Sequence, residues 1–217
     1  AYIPYPQAVP HKAAIDERYC VHVLKDECGV CKEFCEAGAI DYDQAEKKIE
    51  LDVGAVILSP GYELFDAKIK EGLGYGTFPN VVTSLEFERI LSASGPFAGK
   101  VLRPYDKTEP KKIAFIQCVG SRDSERDYCS SVCCMYATKE AIIAKEHISG
   151  DLECDVYIMD MRAFSKGFDE YYQRAKEHGV NYIRCRPPSI KEIPQTKNLI
   201  IDYLTEDDRK DSREYDL

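Results

Sequence analysis

Ten of the 217 residues are cysteine, and eight of them fall into two tight groups. Cys20, Cys28, Cys31 and Cys35 form the first; Cys118, Cys129, Cys133 and Cys134 form the second; Cys154 and Cys185 stand alone. Disulfide frameworks belong to small secreted chains that cannot build a core. Here 44% of residues are hydrophobic, which is enough for an ordinary globular core. The grouped thiols therefore read as reduced metal ligands in a cytoplasmic, anaerobic setting. Twenty-nine basic against 38 acidic residues leave a net charge of −9, so there is no electrostatic footprint for nucleic acid. The apolar runs, such as Ala55 to Leu58, are far shorter than the ~20 residues of a membrane span.

In the first group, Cys28-Gly-Val-Cys31-Lys-Glu-Phe-Cys35 follows a C-x2-C-x3-C spacing, with Cys20 eight residues upstream. Iron–sulfur cubanes need four thiolates around an apolar-shielded cavity, and this spacing is part of a ferredoxin ligand run. The following Glu36-Ala-Gly-Ala-Ile-Asp41 is similar to the turn and strand after the last cysteine of bacterial ferredoxins, with Glu36 where those have Pro. A zinc site would prefer two separated C-x2-C knuckles. A thioredoxin-type pair, Cys28 with Cys31, would leave Cys20 and Cys35 without a role. Cys35 could serve the same cluster as Cys28 and Cys31 or a different one.

The second group, spaced C-x10-C-x3-C-C, sits between an apolar strand, Ile113 to Ile116, and a helix expected from Ser130 to His147. A dinucleotide-binding fold would grip pyrophosphate at this turn on a Gly-rich loop and a helix N-terminus. Only Gly120 remains of that fingerprint, and four thiols occupy the place. A helix N-terminus favours anions, so it suits thiolates and a negatively charged cluster. Cys133 and Cys134 are adjacent, and both can reach one centre only at a helix end. The competing reading is one reactive thiol among core cysteines.

Along the chain, residues 16–50 read as a small module with a strand at 48–53. Gly54 to Leu58 reads as a buried strand closed by Ser59-Pro60-Gly61. Residues 62–110 read as a connecting region with a helix from Ser84 to Ser92, capped by Ser84. From Lys111 the pattern becomes strand 113–116, helix 130–147, strand 155–159, helix 168–178 with Gly179 past its end, and strand 180–183. That alternation implies a parallel sheet. Residues 190–193 and 198–204 read as a hairpin, and Thr205 to Glu214 as a charged, solvated stretch. The Pro-rich opening, Ile3 to Pro10, and the strand-like Glu214 to Leu217 read as marks of a piece of something longer. Gly72-Leu-Gly74-Tyr-Gly76 reads as a turn, not a phosphate loop. The four histidines are scattered; Cys154 and Cys185 read as small core residues; Arg122 and Arg162 could tune the potential of a neighbouring cluster through their charge, with a salt bridge to Asp123 or Asp160 the blander reading; Tyr171 and Tyr172 read as packing.

These residues resemble the heterodisulfide reductase flavoproteins, the iron–sulfur A subunits of methanogens and their relatives in sulfate reducers and other anaerobes. The most specific pieces are Phe115-Ile-Gln-Cys-Val-Gly-Ser-Arg-Asp123 and Tyr128-Cys-Ser-Ser-Val-Cys-Cys-Met135, supported by Tyr2 to Pro10, Gly74 to Val81, Ser84 to Arg89 and Met159 to Ala163. The resemblance implies an α/β fold: a Rossmann-like three-layer domain of thioredoxin-reductase type (111–217), a flavin-domain strand and connecting segment (51–110), and a partial ferredoxin-like module (1–50). It implies an oxidoreductase subunit with one or two [4Fe–4S] clusters within this chain, one on Cys118, Cys129, Cys133 and Cys134, with Cys20, Cys28, Cys31 and Cys35 belonging to the ferredoxin module, and FAD in the full-length protein, Gly61 lying in the flavin-domain turn. Implied partners are other subunits of such a reductase and a hydrogenase- or ferredoxin-type electron donor. From another class, a zinc-stabilised domain that docks redox partners is the alternative.

Overall fold

The computed structural model describes residues 1–3 and 12–217. The Pro-rich stretch up to Pro10, with its part of the resemblance, and His11 therefore lie outside the described residues. The chain divides into two compact units, Ala1–Tyr62 and Glu63–Leu217.

The smaller unit carries two short helices, α1 (Val21–Lys25) and α2 (Val30–Glu33), and a bridge between Tyr2 and Ala14. Neither expected strand of this unit forms. Residues 47–53 and 55–62 are irregular, and Val56, Ile57 and Leu58 are exposed, Ile57 to 91%. An alternating or apolar run becomes a strand only when a neighbouring strand accepts its backbone hydrogen bonds, and among the described residues none lies beside this one.

The larger unit begins with two 3-10 turns at Ala67–Ile69 and Glu71–Leu73, where Gly74 and Gly76 take positive φ, so the glycine run is a turn as expected. Helix α3 (Ser84–Leu91) follows. Its N-cap is Thr83 rather than Ser84: the Thr83 hydroxyl accepts from Glu86 N, and the Glu86 carboxylate accepts from Thr83 N at 2.7 Å. This reciprocal box satisfies two orphan donors, and it moves the boundary one residue toward the N-terminus.

Strand β1 (Lys112–Ile116), helix α4 (Cys133–His147), strand β2 (Glu153–Ile158), helix α5 (Phe168–Glu177) and strand β3 (Val180–Arg184) then alternate. The three strands pair in parallel in the order β1-β2-β3, as the alternation requires. Helix α4 starts three residues later than expected, because Ser130 to Val132 belong to the loop that shapes the cysteine site. The hairpin β4 (Ile190–Glu192) and β5 (Leu199–Leu204) forms, and β6 (Lys210–Tyr215) adds to it antiparallel. The charged stretch read as solvated is thus partly an edge strand. Its side chains face water over most of its length, so its polarity hid a strand whose stability comes from backbone pairing.

Two cores lie on the two faces of the parallel sheet. Phe87, Ile90 and Leu91 from α3, Ala137, Ala141 and Ala144 from α4, and Ala175 from α5 pack on Ile113, Phe115, Cys154 and Val156. On the other face Tyr157, Ala114 and Ile116 meet Ile190, Ile201, Tyr203 and Tyr215 of the antiparallel sheet. A buried polar knot ties the two sheets together. Asp155 accepts from Tyr215 Oη (2.6 Å), Arg213 (2.8 Å) and Asn181 (2.9 Å), and Tyr157 and Tyr215 share a hydrogen bond of 2.8 Å. Among the described residues, no helix is long and apolar enough to cross a membrane.

Candidate metal centre

The loop between β1 and α4 gathers all four thiols of the second group. Cys118 lies two residues past the strand, and Cys133 and Cys134 are the first two residues of α4. Helix α4 has Val132 as its N-cap, which makes no side-chain capping bond, and no acidic residue in its first turn, so its amide dipoles are left for an anion. Cys133 interacts with the Cys134 thiol, with the Ser130 hydroxyl and with the Cys118 amide, and Cys118 lies within electrostatic reach of Cys129, Cys133 and Cys134. The Ser131 amide donates to Cys129 Sγ at 3.3 Å.

These contacts split the thiols. Cys133 is held down at about 6, chiefly by its interaction with the Cys134 thiol, and Cys134 is pushed up by that same interaction and then by burial. Burial also raises Cys118, against the pull of Arg122.

The backbone bends hard to bring the sulfurs inward. Cys118 (φ 59), Arg122 (φ 55) and Ser131 (φ 65) are non-glycine residues in the left-handed region, each at a cost of roughly 1–2 kcal/mol. Gly120 (φ 74) needs to be glycine twice over, since a Cβ there would strike the Phe65 ring. Charged groups brace the loop. Arg186, from beyond β3, donates to Cys118 O (3.3 Å) and Arg122 O (3.1 Å). Asp123 caps the Glu125 and Arg126 amides and pairs with Lys70 at 3.1 Å. Arg122 and Arg162 both bind Asp160, as expected of them. A cavity of about 400 Å³, lined by Lys70, Leu73, Ile116, Gln117, Val119 and Arg186 among others, opens beside this loop.

In the smaller unit, Cys20 caps α1 and Cys28 precedes the Gly29 cap of α2. Cys20, Cys28 and Cys31 all act on the Tyr42 hydroxyl, whose pKa is raised by burial first and then by those sulfurs, Cys31 also hydrogen-bonding to it. Cys35 is occupied elsewhere, accepting from the Ala39 amide at 3.4 Å. The structure thus groups three of the four about one phenol and gives the fourth a separate partner. Gly61 (φ 77) turns an exposed segment, with nothing within 4 Å of where its Cβ would be.

The remaining candidates have structural roles. Cys154 is buried, bonds to Ala141 O and is pushed up to about 12 by burial; Cys185 packs at the edge of the second core. His22 stacks on Tyr42 and His147 bonds to Gly99 O. Tyr172 packs edge-on against Tyr182. Sequence reasoning missed Ser130, Tyr42 and Arg186. Serine and tyrosine next to cysteines are too common to signal anything, and Arg186 is 68 residues from the carbonyl it braces.

Among the described residues, no three Cys, His, Asp or Glu side chains close on one point as a lone ion needs. A cubane asks for something different, because each thiolate binds its own iron at a separate corner. The second group fits that demand: four soft sulfur donors, amides and a hydroxyl directed at them, and surrounding cations.

Fold and site together define an α/β protein in which a strand-to-helix turn carries thiols where a nucleotide fingerprint would stand. No protein-family model matches the chain. It is 49% identical, over 89% of its length, to a protein of Methanothermobacter thermautotrophicus named as the A subunit of H2:CoB-CoM heterodisulfide,ferredoxin reductase. It is 50% identical over its whole length to an iron-sulfur A subunit of the CoB–CoM heterodisulfide reductase of Methanopyrus kandleri. It is 44% identical over 84% to the A subunit of a CoB–CoM heterodisulfide reductase of Methanosarcina acetivorans named for ferredoxin and F420H2 dependence. The chain spans 29%, 33% and 23% of those relatives. Over this stretch it belongs to the family of heterodisulfide reductase A subunits.

Proposed function

We propose that this chain is the electron-carrying segment of a heterodisulfide-reductase-type iron–sulfur flavoprotein, an oxidoreductase subunit. The observation that carries the reading is the meeting of Cys118, Cys129, Cys133 and Cys134 at the N-terminus of α4. These four would hold one [4Fe–4S] cluster; Cys20, Cys28 and Cys31, with Cys35 or a ligand from elsewhere, would hold a second. A bound cluster supplies one-electron transfer between its two charge states. The protein's part is to bind and shield it: α4 offers its N-terminal dipole, the Ser131 amide donates to sulfur, Ser130 and the Cys118 amide interact with Cys133, and Arg122 and Arg186 brace the loop.

The finer fold reading goes with this one: a thioredoxin-reductase-type Rossmann domain in the larger unit and a ferredoxin-like module in the smaller. In the whole protein the flavin would be FAD, with Gly61 in its binding turn, and the cavity beside Val119 and Gly120 gives a second carrier access to the cysteine loop. Other reductase subunits and a hydrogenase- or ferredoxin-type donor would be the partners, in the cytoplasm. The relatives' names mention hydrogen, formate and ferredoxin, in line with such donors.

Iron and acid-labile sulfide analysis of the anaerobically purified chain tests the reading. The expected result is about four iron and four sulfide per cluster, with broad visible absorbance that bleaches on reduction. Cys133→Ser should lose one cluster's share and keep the other. A colourless protein carrying stoichiometric zinc, or unchanged iron in Cys133→Ser, overturns it.

A further inference from the structure

We infer that Arg122, positioned by Asp160, sets the reduction potential of the cluster held by the second cysteine group. The inference rests on the cluster assignment just made. Arg122 holds its charge within electrostatic reach of the Cys118 thiol. Its guanidinium is also fixed on Asp160 through both arms, Nη1 to Oδ1 and Nη2 to Oδ2, the latter at 3.3 Å. Arg162 takes the same carboxylate through Nε and Nη2, each at 3.0 Å. Two cations on one anion leave a net positive charge beside the thiols.

Folding stability does not account for this fork. The Asp160 side chain is 42% exposed, and ion pairs so close to water contribute little. The fork's position does account for it. The main-chain oxygen of Asp160 meets Cys134 Sγ at 3.9 Å, while the charge of the arginine it holds reaches Cys118. The fork therefore spans two sulfurs, one from each end of the loop. Even the left-handed backbone at Arg122 fits a side chain that must turn back on its own loop. Reduction adds one electron, and so one negative charge, to a cluster. A fixed cation beside a ligand sulfur favours the reduced form, since net charge near a cluster is among the terms that set such potentials. Arg162 clamps Asp160 from the other side; its charge reaches Cys129, but from a side chain 33% exposed against 18% for Arg122, so water screens it more.

The test is potentiometry of the full chain with its clusters in place, followed by electron paramagnetic resonance so that the two clusters are read separately. Arg122→Gln should lower the reduction equilibrium of the second cluster about tenfold, 59 mV for a one-electron couple, and leave the first cluster unmoved. Asp160→Asn separates positioning from plain charge. Removing a negative charge by itself raises a potential; releasing Arg122 lowers it. The expected result is a lowering in the native background and no lowering when Arg122→Gln is already present. Arg162→Gln should shift the equilibrium by less than threefold.

An unmoved potential in Arg122→Gln, a raised potential in Asp160→Asn, or an Arg162→Gln shift as large as that of Arg122→Gln overturns the inference. Should Arg122→Gln lose its iron, Arg122→Lys carries the comparison: it keeps the charge, cannot span both partners, and should give a smaller lowering. A native chain with no second-cluster signal removes the cluster assignment as well; a signal whose potential ignores Arg122 removes only this inference.

Discussion

Glu140 sits 2% exposed on α4, with one carboxylate oxygen lacking a hydrogen-bond partner among the described residues. Burial, then the charge of Glu88, pushes its pKa from 4.5 up to about 8, and Lys139 offsets only part of this. A carboxyl raised in the folded state stays neutral there while its unfolded counterpart ionises. The chain is thus most stable, as far as this group goes, below about pH 4.5; it loses stability as pH rises toward 8 and loses no more above that. Glu140→Gln should remove that slope and stabilise the protein at pH 8 by an amount on the order of a few kcal/mol. Urea melts at pH 5 and pH 8 check this, and parallel pH profiles for variant and native chain would refute it. Nothing in the local sequence announces Glu140, because a Glu beside Lys139 in a helix reads as a surface pair. The cysteines are the opposite case. Their spacing alone placed the site at the strand-to-helix turn, because few other arrangements put four thiols in 17 residues.

Elements were legible where local sequence supplies their partners, and misread where the partner is distant or absent. Strands β1, β2 and β3 and helix α5 form close to where apolar runs and Gly179 put them, since parallel pairing buries both faces. The run from Lys48 to Leu58 carries the same kind of pattern, yet with no strand beside it among the described residues it stays irregular and exposed. Strand β6 shows the converse: charged residues become a strand because β5 offers a free edge. Helix α3 turns on one hydroxyl. Thr83 and Ser84 are both capping types, and what selects Thr83 is Glu86 three residues on. Thr83→Ala should therefore cost about 1 kcal/mol, while Ser84→Ala should cost a few tenths at most. Chemical denaturation of the two variants distinguishes them, and equal losses would place the cap elsewhere.

At the scale of the molecule, the two cysteine groups fall in different compact units, one on each side of residue 62. The larger unit has two cores and a buried polar knot on Asp155. The smaller is built from two helices of five and four residues with no buried side chains, far below the length at which a helix is stable alone. On the proposed cluster assignment, a unit with so little core would depend on its cross-link, as small metal-binding modules do when binding free energy is folding free energy. The larger unit, with its two cores, should fold without such help. Paired substitution of Cys28→Ser and Cys31→Ser should then remove about one cluster's four irons and leave residues 15–62 open to protease. The second cluster's spectrum and the melting of the larger unit should stay as they were. Cys129→Ser with Cys133→Ser should give the asymmetric counterpart: loss of the other cluster, with the two cores of the larger unit still folded. Limited proteolysis with mass analysis, alongside iron content, reads both arms at once. Loss of both clusters in either double variant would mean that the two sites are one cooperative system and not two separately folded carriers.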